Sequence, residues 1–271
     1  MTNQTKNSKI IFFGTPKVSA DVLEALINAG YDIEAVVTNP DQPVGRKHVI
    51  TPPPVKVLAL EKGIPVYQPE KLKEFVLPQS DLAIVVAYGK IIPQSIIDSF
   101  PLGMLNIHYS LLPKYRGASP VEHAILSGDP ATGVTIQKLV FKLDAGPIIA
   151  VREIDIAEET TTPELKDELT RAGSELLVET LPKYIAGEIT PIEQDESLAT
   201  HCGKIEKADG EIKLSDDDHE KWRKYKAYYG WPGVFYFDES GKRVKVTAAE
   251  WIEDQFIIKK IIPEGKNEIS I

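Results

Sequence analysis

The sequence predicts an α/β protein: a mostly parallel open sheet covered by helices, followed by a small β-rich C-terminal domain. Two observations carry this expectation. From residue 9 to about residue 187, short apolar runs alternate with stretches of helical periodicity, the pattern of strands that pair in parallel and need a crossover between them. After residue 204 the period changes to two, in GVFYFD and RVKVTAAEWI, with Asp238, Glu239, Ser240 and Gly241 between them, as in antiparallel strands joined by a turn.

The elements follow in order. KIIFFG (9–14) is a β-rich run closed by Gly14, and Val18, Val22, Leu23, Leu26 and Ile27 then recur at helical spacing after Pro16. DIEAVVT (32–38) is a second strand, LALEKG (58–63) ends a helix at Gly63, and IPVY is a third strand. DLAIVVAYG (81–89) is a fourth, apolar enough to be buried on both faces, and GMLNIHYS is a fifth. SPVEHAILSG reads as a helix, and TGVTIQKLV and GPIIAVREI read as further strands. A long amphipathic helix follows over 162–187, with Leu165, Leu169, Leu176, Leu177 and Leu181 on its apolar face and Gly187 as its stop. The first domain is therefore expected to span 1–187. Residues 188–204, poor in large apolar groups, suit a linker, and 205–271 form the second domain.

Composition narrows the function. The 271 residues are 42% hydrophobic and 26% charged, a globular balance. Neither a membrane-spanning run nor an apolar signal segment is present, and Cys202 is the single cysteine, so a cytoplasmic protein without disulfides is expected. The net charge of −9 argues against a grip on long stretches of phosphate backbone, so any nucleic-acid contact should be local. No oligomerisation signal is legible, and a monomer is assumed.

Three features could carry chemistry. FFGTPKVSA resembles a nucleotide-binding turn only in outline: it lacks both the Gly-x-Gly-x-x-Gly spacing and a phosphate-loop Gly-Lys-Ser/Thr, and a dinucleotide site is rejected. Asn106 and His108 lie one residue apart near the end of the fifth strand, on one face, where side chains of an open α/β sheet meet the ligand crevice. A His can carry a proton near neutral pH and an Asn amide can donate to a developing oxyanion, a combination suited to acyl-type transfer. A strand-end His with a backbone partner would give the same pattern. Asp144, before Ala145, Gly146 and Pro147, is by itself a turn aspartate; a carboxylate reaching His108 would orient it and stabilise its charged form. The third feature is TNPDQPVGRKHVITPPPVKV (38–57), a proline-stiffened loop centred on Arg46, Lys47 and His48, readable as a solvated charge pair or as a phosphate contact. The five histidines show no metal-ligand spacing with carboxylates or Cys202.

Residues 106–149, NIHYSLLPKYRGASPVEHAILSGDPATGVTIQKLVFKLDAGPII, closely resemble the signature region of the formyltransferases that use 10-formyltetrahydrofolate. Asn-x-His, Ser-Leu-Leu-Pro, Arg-Gly-Ala-x-Pro, Thr-Gly-Val-Thr and Leu-Asp-x-Gly all occur in order. IIFFGTP, VVAYGKIIP and ALEKGIPVYQPEKL are similar to the same family, and within it the likeness is strongest to members that act on methionyl-tRNA. The resemblance implies a Rossmann-like formyltransferase core and an OB-like C-terminal domain. It implies Asn106, His108 and Asp144 as catalytic residues, and a folate site formed by Ala87, Tyr88, Gly89 and Ile91 with Ser110, Leu111, Leu112 and Pro113. It further implies 10-formyltetrahydrofolate as co-substrate, no metal, and a charged initiator tRNA as partner, formylated on its α-amino group for translation initiation.

In the tRNA-directed members a loop with the Pro-Asp-x-Pro-x-Gly-Arg pattern approaches the acceptor stem, so Arg46 and, more weakly, Lys47 are the implied RNA contacts. Residues 205–271 carry 12 Lys and Arg against 14 Asp and Glu, with local cationic clusters at KWRKYK (221–226) and KRVK (242–245) that could meet phosphate or simply present a solvated helix face. YGWPGVFYF and IIPEGKNEIS are similar to parts of the family's tRNA-assisting domain, here with a shorter connection between strands. That shortening and the acidic charge favour the alternative, a nucleotide-sugar N-formyltransferase acting on an amino sugar; the Pro-rich basic loop argues against it. Hydrolysis of the folate, with water in place of the amine, is a further possibility.

Overall fold

The computed structural model describes residues 8–45 and 48–271. The chain begins with β1 (Ile10–Gly14), α1 (Lys17–Asn28) and β2 (Ile33–Val37), then a short hairpin of β3 (Gln42–Val44) and β4 (Val49–Thr51), then α2 (Pro54–Glu61) and β5 (Val66–Tyr67). β6 (Leu82–Val86), α3 (Gln94–Ile97), β7 (Met104–His108), β8 (Arg116–Gly117) and α4 (Pro120–Ser127) follow. β9 (Ala131–Lys138), β10 (Ile148–Asp155) and α5 (Thr162–Ile185) complete the larger part, and β11 (His201–Cys202), α6 (Asp218–Ala227), β12 (Val234–Phe237), β13 (Arg243–Ile252), β14 (Gln255–Pro263) and β15 (Ile269–Ser270) the remainder.

The main sheet has seven strands in the order β10-β9-β7-β6-β1-β2-β5. β5, β2, β1, β6 and β7 are parallel, while β9 and β10 run antiparallel to their neighbours. β9 alone therefore runs against the other six strands, which makes the sheet mostly rather than wholly parallel, as the α/β expectation allows. β1 and β6 are buried throughout because they are apolar at every position that faces either layer. Ile10 and Phe12 enter one core with Leu82, Ile84 and Val86; Ile11 and Phe13 enter the other with Ala83 and Val85. After β1 the chain moves outward to β2 and β5 and then returns to the opposite side of β1 as β6. That reversal opens a crevice at the carboxyl ends of β1 and β6, the place where such sheets bind ligands.

α5 matches the predicted long helix and ends two residues before Gly187, whose φ of 72° stops it. At its start the Glu164 carboxylate accepts from the Thr161 N–H at 2.9 Å and from the Thr161 hydroxyl at 2.6 Å. These bonds hold the Glu164 carboxyl below its ordinary pKa. Leu165, Leu169, Leu177 and Leu181 are completely buried against the sheet.

The C-terminal part is an antiparallel meander, β12-β13-β14-β15, with α6 packed on it. The predicted hairpin is present: Phe237 pairs with Arg243 on either side of the 238–241 turn. This sheet has no isolated core. Ile212, Trp222, Tyr225, Val234, Val246 and Phe256 join the same buried cluster as Val121 and Ile125 of α4 and Leu165 of α5. The Thr162 hydroxyl, buried between the two parts, donates to the Ala227 carbonyl at 2.7 Å.

KWRKYK therefore has an internal task in part. Lys221 donates to the Leu214 carbonyl at 3.2 Å and pairs with Asp218, and Lys226 donates to the Glu158 carbonyl; both are buried, and burial lowers the Lys226 pKa. Those two ammonium groups do not form a phosphate-binding face, because Trp222 and Tyr225 turn that side of α6 into the core. No described helix is long and apolar enough to cross a membrane.

Candidate active site

β7 carries Asn106 and His108 to the crevice at its carboxyl end. Asn106 lies beside Val85 of β6 and opposite Gln137 of β9, and His108 lies opposite Thr135. His108 is 6% exposed, and its Nε2 is 2.8 Å from the Tyr115 carbonyl oxygen. A carbonyl only accepts, so Nε2 carries the proton of that bond and Nδ1 is the nitrogen turned toward Asp144. Nδ1 stands 3.7 Å from Asp144 Oδ1, too far for a hydrogen bond and close enough for charge to matter.

Asp144 reaches this point from the turn between β9 and β10. Its φ of 46° is left-handed, a conformation that costs a non-glycine residue about 1–3 kcal/mol and persists only where neighbours impose it. The neighbours are identifiable. Oδ2 accepts from the Gly117 N–H at 2.9 Å; Oδ1 accepts from Gln137 Nε2 at 3.0 Å and, at the limit of 3.5 Å, from Asn106 Nδ2. Asn106, His108 and Asp144, separated by 38 residues along the chain, thus meet at one carboxylate.

The turn that carries this carboxylate is itself held by a segment that composition suggests is a linker. Residues 188–204 run back along the sheet: Ile192 bridges to Ile148, and β11 pairs in parallel with β8. Gln194 Nε2 donates to the carbonyl oxygens of Asp144 at 2.9 Å and Gly146 at 2.7 Å. Its own Oε1 accepts from Arg116 Nε at 3.0 Å and Nη2 at 2.8 Å. The Arg116 side chain is fully buried and its charge is met by Glu196 at 3.0 Å, which Lys142 also contacts at 2.7 Å. Hydrogen bonds from Arg116 and then Lys142 pull the Glu196 carboxyl down to a pKa of about 2. Gly117 has to be glycine here, since a Cβ would lie 2.1 Å from the Cys202 carbonyl oxygen at a φ of 128°. Cys202 is buried, its thiol pKa is raised by that burial, and it packs with Sγ 3.3 Å from the Tyr115 carbonyl.

The 87–92 segment forms the other wall. Ala87 (φ 44°) and Gly89 (φ 80°) turn the chain sharply after β6, leaving both exposed along with Ile91. Tyr88 points inward with its ring edge-on to Phe13 at 5.5 Å, and its carbonyl accepts from Thr15 at 3.1 Å and Asn39 at 2.9 Å. Among the described residues, none accepts from the main-chain N–H groups of residues 88–92. Thr38 Oγ1, Asn39 Oδ1 and the Tyr88 hydroxyl are buried without partners in the same region.

In the 110–113 loop, Ser110 and Leu112 are buried, so they shape the loop from within, while Leu111 and Pro113 are partly exposed. Ser110 donates to the Lys114 carbonyl at 2.6 Å, and Thr135 ties the loop down through the Ser110 carbonyl at 2.7 Å and the Leu112 N–H at 3.1 Å. Arg46 and Lys47 lie outside the described residues; the hairpin on either side of them exposes Val44, Val49 and Ile50.

Two concavities of about 640 and 690 Å3 lie away from these residues, one between α1 and α5 and one beside residues 75–81. Neither contains the Asn, His and Asp group, so chemistry rather than volume locates the site. Among the described residues, no group of three or more His, Cys, Asp and Glu side chains is arranged to hold a metal ion.

Residues 8–181 match the formyl transferase family. The chain is 46% identical over 234 residues to methionyl-tRNA formyltransferase of Listeria innocua, covering 84% of this chain and 75% of the relative. It is 43% identical over 251 residues to methionyl-tRNA formyltransferase of Bacillus subtilis, covering 90% and 79%. The chain belongs to the methionyl-tRNA formyltransferase family. Solved structures with the same fold include a 4-N formyltransferase from Francisella tularensis, with a TM-score of 0.71 at 18% identity over 89% of this chain and 97% of that one. Another is HypX from Aquifex aeolicus in complex with tetrahydrofolic acid, with a TM-score of 0.66 at 20% identity over 97% of this chain and 46% of that one.

Sequence reasoning about this formyltransferase missed Gln137, Gln194, Arg116 and Gly117. Gln137 left a trace, a long polar side chain two residues after Thr135 in an apolar strand. Gln194 left none, because the 50 residues between it and Asp144 hide their contact.

Proposed function

We propose that the protein transfers the formyl group of 10-formyltetrahydrofolate to the α-amino group of charged initiator methionyl-tRNA. The observation that carries the reading is the convergence of Asn106, His108 and Asp144 at the carboxyl end of β7, in a chain 43–46% identical to enzymes named for this reaction. The residues around the crevice fit a folate. A flat, hydrogen-bonding ring system needs main-chain donors and acceptors at its edge, and the N–H groups of residues 88–92, which have no acceptor among the described residues, can serve as donors. The folate supplies an activated formyl group on nitrogen.

The chain's own groups then have separable tasks. Asn106 offers an amide N–H to a carbonyl oxygen that gains negative charge. His108, tethered through Nε2 to Tyr115, has Nδ1 available to take a proton from the attacking amine and return one to the departing nitrogen. Asp144, 3.7 Å away, offsets the charge of the protonated ring.

The acceptor is tested by supplying 10-formyltetrahydrofolate with charged initiator tRNA, uncharged tRNA or amino sugars and following the folate product. Turnover is expected only with the charged tRNA. Turnover only with an amino sugar would move the assignment to the sugar-directed members, and turnover without any acceptor would indicate hydrolysis.

A further inference from the structure

We infer that Gln137 is a positioning residue for the reaction: it holds Asp144 Oδ1 away from His108 Nδ1 and so keeps that nitrogen uncommitted for the reacting groups. The inference rests on the catalytic reading of His108 and Asp144 given above.

Three nitrogens lie around Asp144 Oδ1, of which the two amides donate as they stand and His108 Nδ1 only once the ring is protonated. Gln137 Nε2 is at 3.0 Å, Asn106 Nδ2 at 3.5 Å and His108 Nδ1 at 3.7 Å. Only the first distance is that of a good hydrogen bond. Without that bond, only the long contact from Asn106 would oppose closure of the carboxylate onto a protonated His108, since the two side chains are 92–93% buried and their attraction is poorly screened.

Gln137 is well anchored for this task. It is completely buried, and its Oε1 accepts from the Gly146 N–H at 3.2 Å and from Gln194 Nε2 at 3.4 Å. One amide therefore grips the side chain of Asp144 and the main chain two residues later. Gln194 grips the main-chain carbonyls of the same two residues, Asp144 and Gly146. Pure turn support would need only the contacts to Gly146; the bond to Oδ1 acts on the carboxylate itself.

The test is Gln137→Met, which keeps the side-chain length and removes both polar ends, alongside Gln137→Glu, which keeps an acceptor for Gly146 but cannot donate to Asp144 when ionised. In both variants kcat should fall about 10- to 100-fold, the scale of losing a hydrogen bond to a charged group, with KM for folate and for tRNA little changed. Nitrogen-resolved NMR of the imidazoles should show the His108 Nδ1 resonance moving toward that of a hydrogen-bonded donor, with the other four histidines unmoved. Gln137→Asn, which retains the amide, should recover part of the rate.

Variants that lose thermal stability while keeping wild-type kcat and an unshifted His108 signal would overturn the inference and leave Gln137 a structural residue. The underlying reading fails separately: full activity in Asp144→Ala would remove it, whereas an inactive Asp144→Ala beside a fully active Gln137→Met would remove only the role assigned to Gln137.

Discussion

Asp144 pairs an unfavourable backbone conformation with hydrogen bonds from three separate elements: Gly117 in β8, Gln137 in β9, and Gln194 in the 188–204 segment. Such concentration of support at one turn suits a side chain whose position matters more than its local stability. Replacing Asp144 or His108 by Ala should lower kcat by about 10²- to 10⁴-fold, the range of a lost general acid–base group. Folate binding should remain detectable by fluorescence or calorimetry, because the 87–92 segment, proposed as a wall of the folate site, is untouched. Wild-type turnover in either variant would remove these residues from the chemistry. In the sequence, Asn106 and His108 were readable as a same-face pair near a strand end, and Asp144 as a turn residue. Their meeting was not readable, since it depends on β9 lying beside β7 in a register that puts Gln137 opposite Asn106.

At the scale of elements, the hairpin of β3 and β4 and the 188–204 segment perform different tasks. The hairpin is exposed at every strand position and is tied to the body near its base, where Lys56 pairs with Asp41 at 2.8 Å and Gln68 contacts both Asp41 and the Asn39 carbonyl. A firm base beneath exposed strands suits contact with a large substrate. Arg46→Ala should raise KM for tRNA several-fold, about the effect of one lost phosphate contact, and leave KM for folate nearly unchanged. Equal effects on both constants would instead mean that the loop supports the active site.

The 188–204 segment is held at Glu196, whose carboxyl pKa of about 2 lies below the ordinary 4.5. A depressed carboxyl pKa contributes stability above the ordinary value and loses it as pH falls through the folded value. Glu196→Gln should therefore lower Tm at neutral pH, and the gap from wild type should narrow between about pH 5 and pH 2. Glu196 is 57% exposed, so the effect should be small and weaken in salt. A gap independent of pH would show that the ion pair contributes nothing to it.

Across the whole molecule, the N- and C-terminal parts share one hydrophobic cluster, with α4 and α5 on one side and α6, β12, β13 and β14 on the other. Heating should therefore give a single cooperative transition in calorimetry, and a chain ending at residue 204 should unfold at a lower temperature and aggregate through the uncovered faces of α4 and α5. Two separated transitions would show that the parts fold independently. By itself the sequence determined the α/β class, the long helix, the C-terminal hairpin and the family, because these rest on periodicity and on motifs contiguous in the chain. The tertiary structure decided what joins across the chain: the reversed placement of β9 between β7 and β10, the route of residues 188–204 beneath the site, and the grip of Gln137 and Gln194 on Asp144. Those contacts follow from strand register and loop closure over tens of residues, which no local spacing encodes.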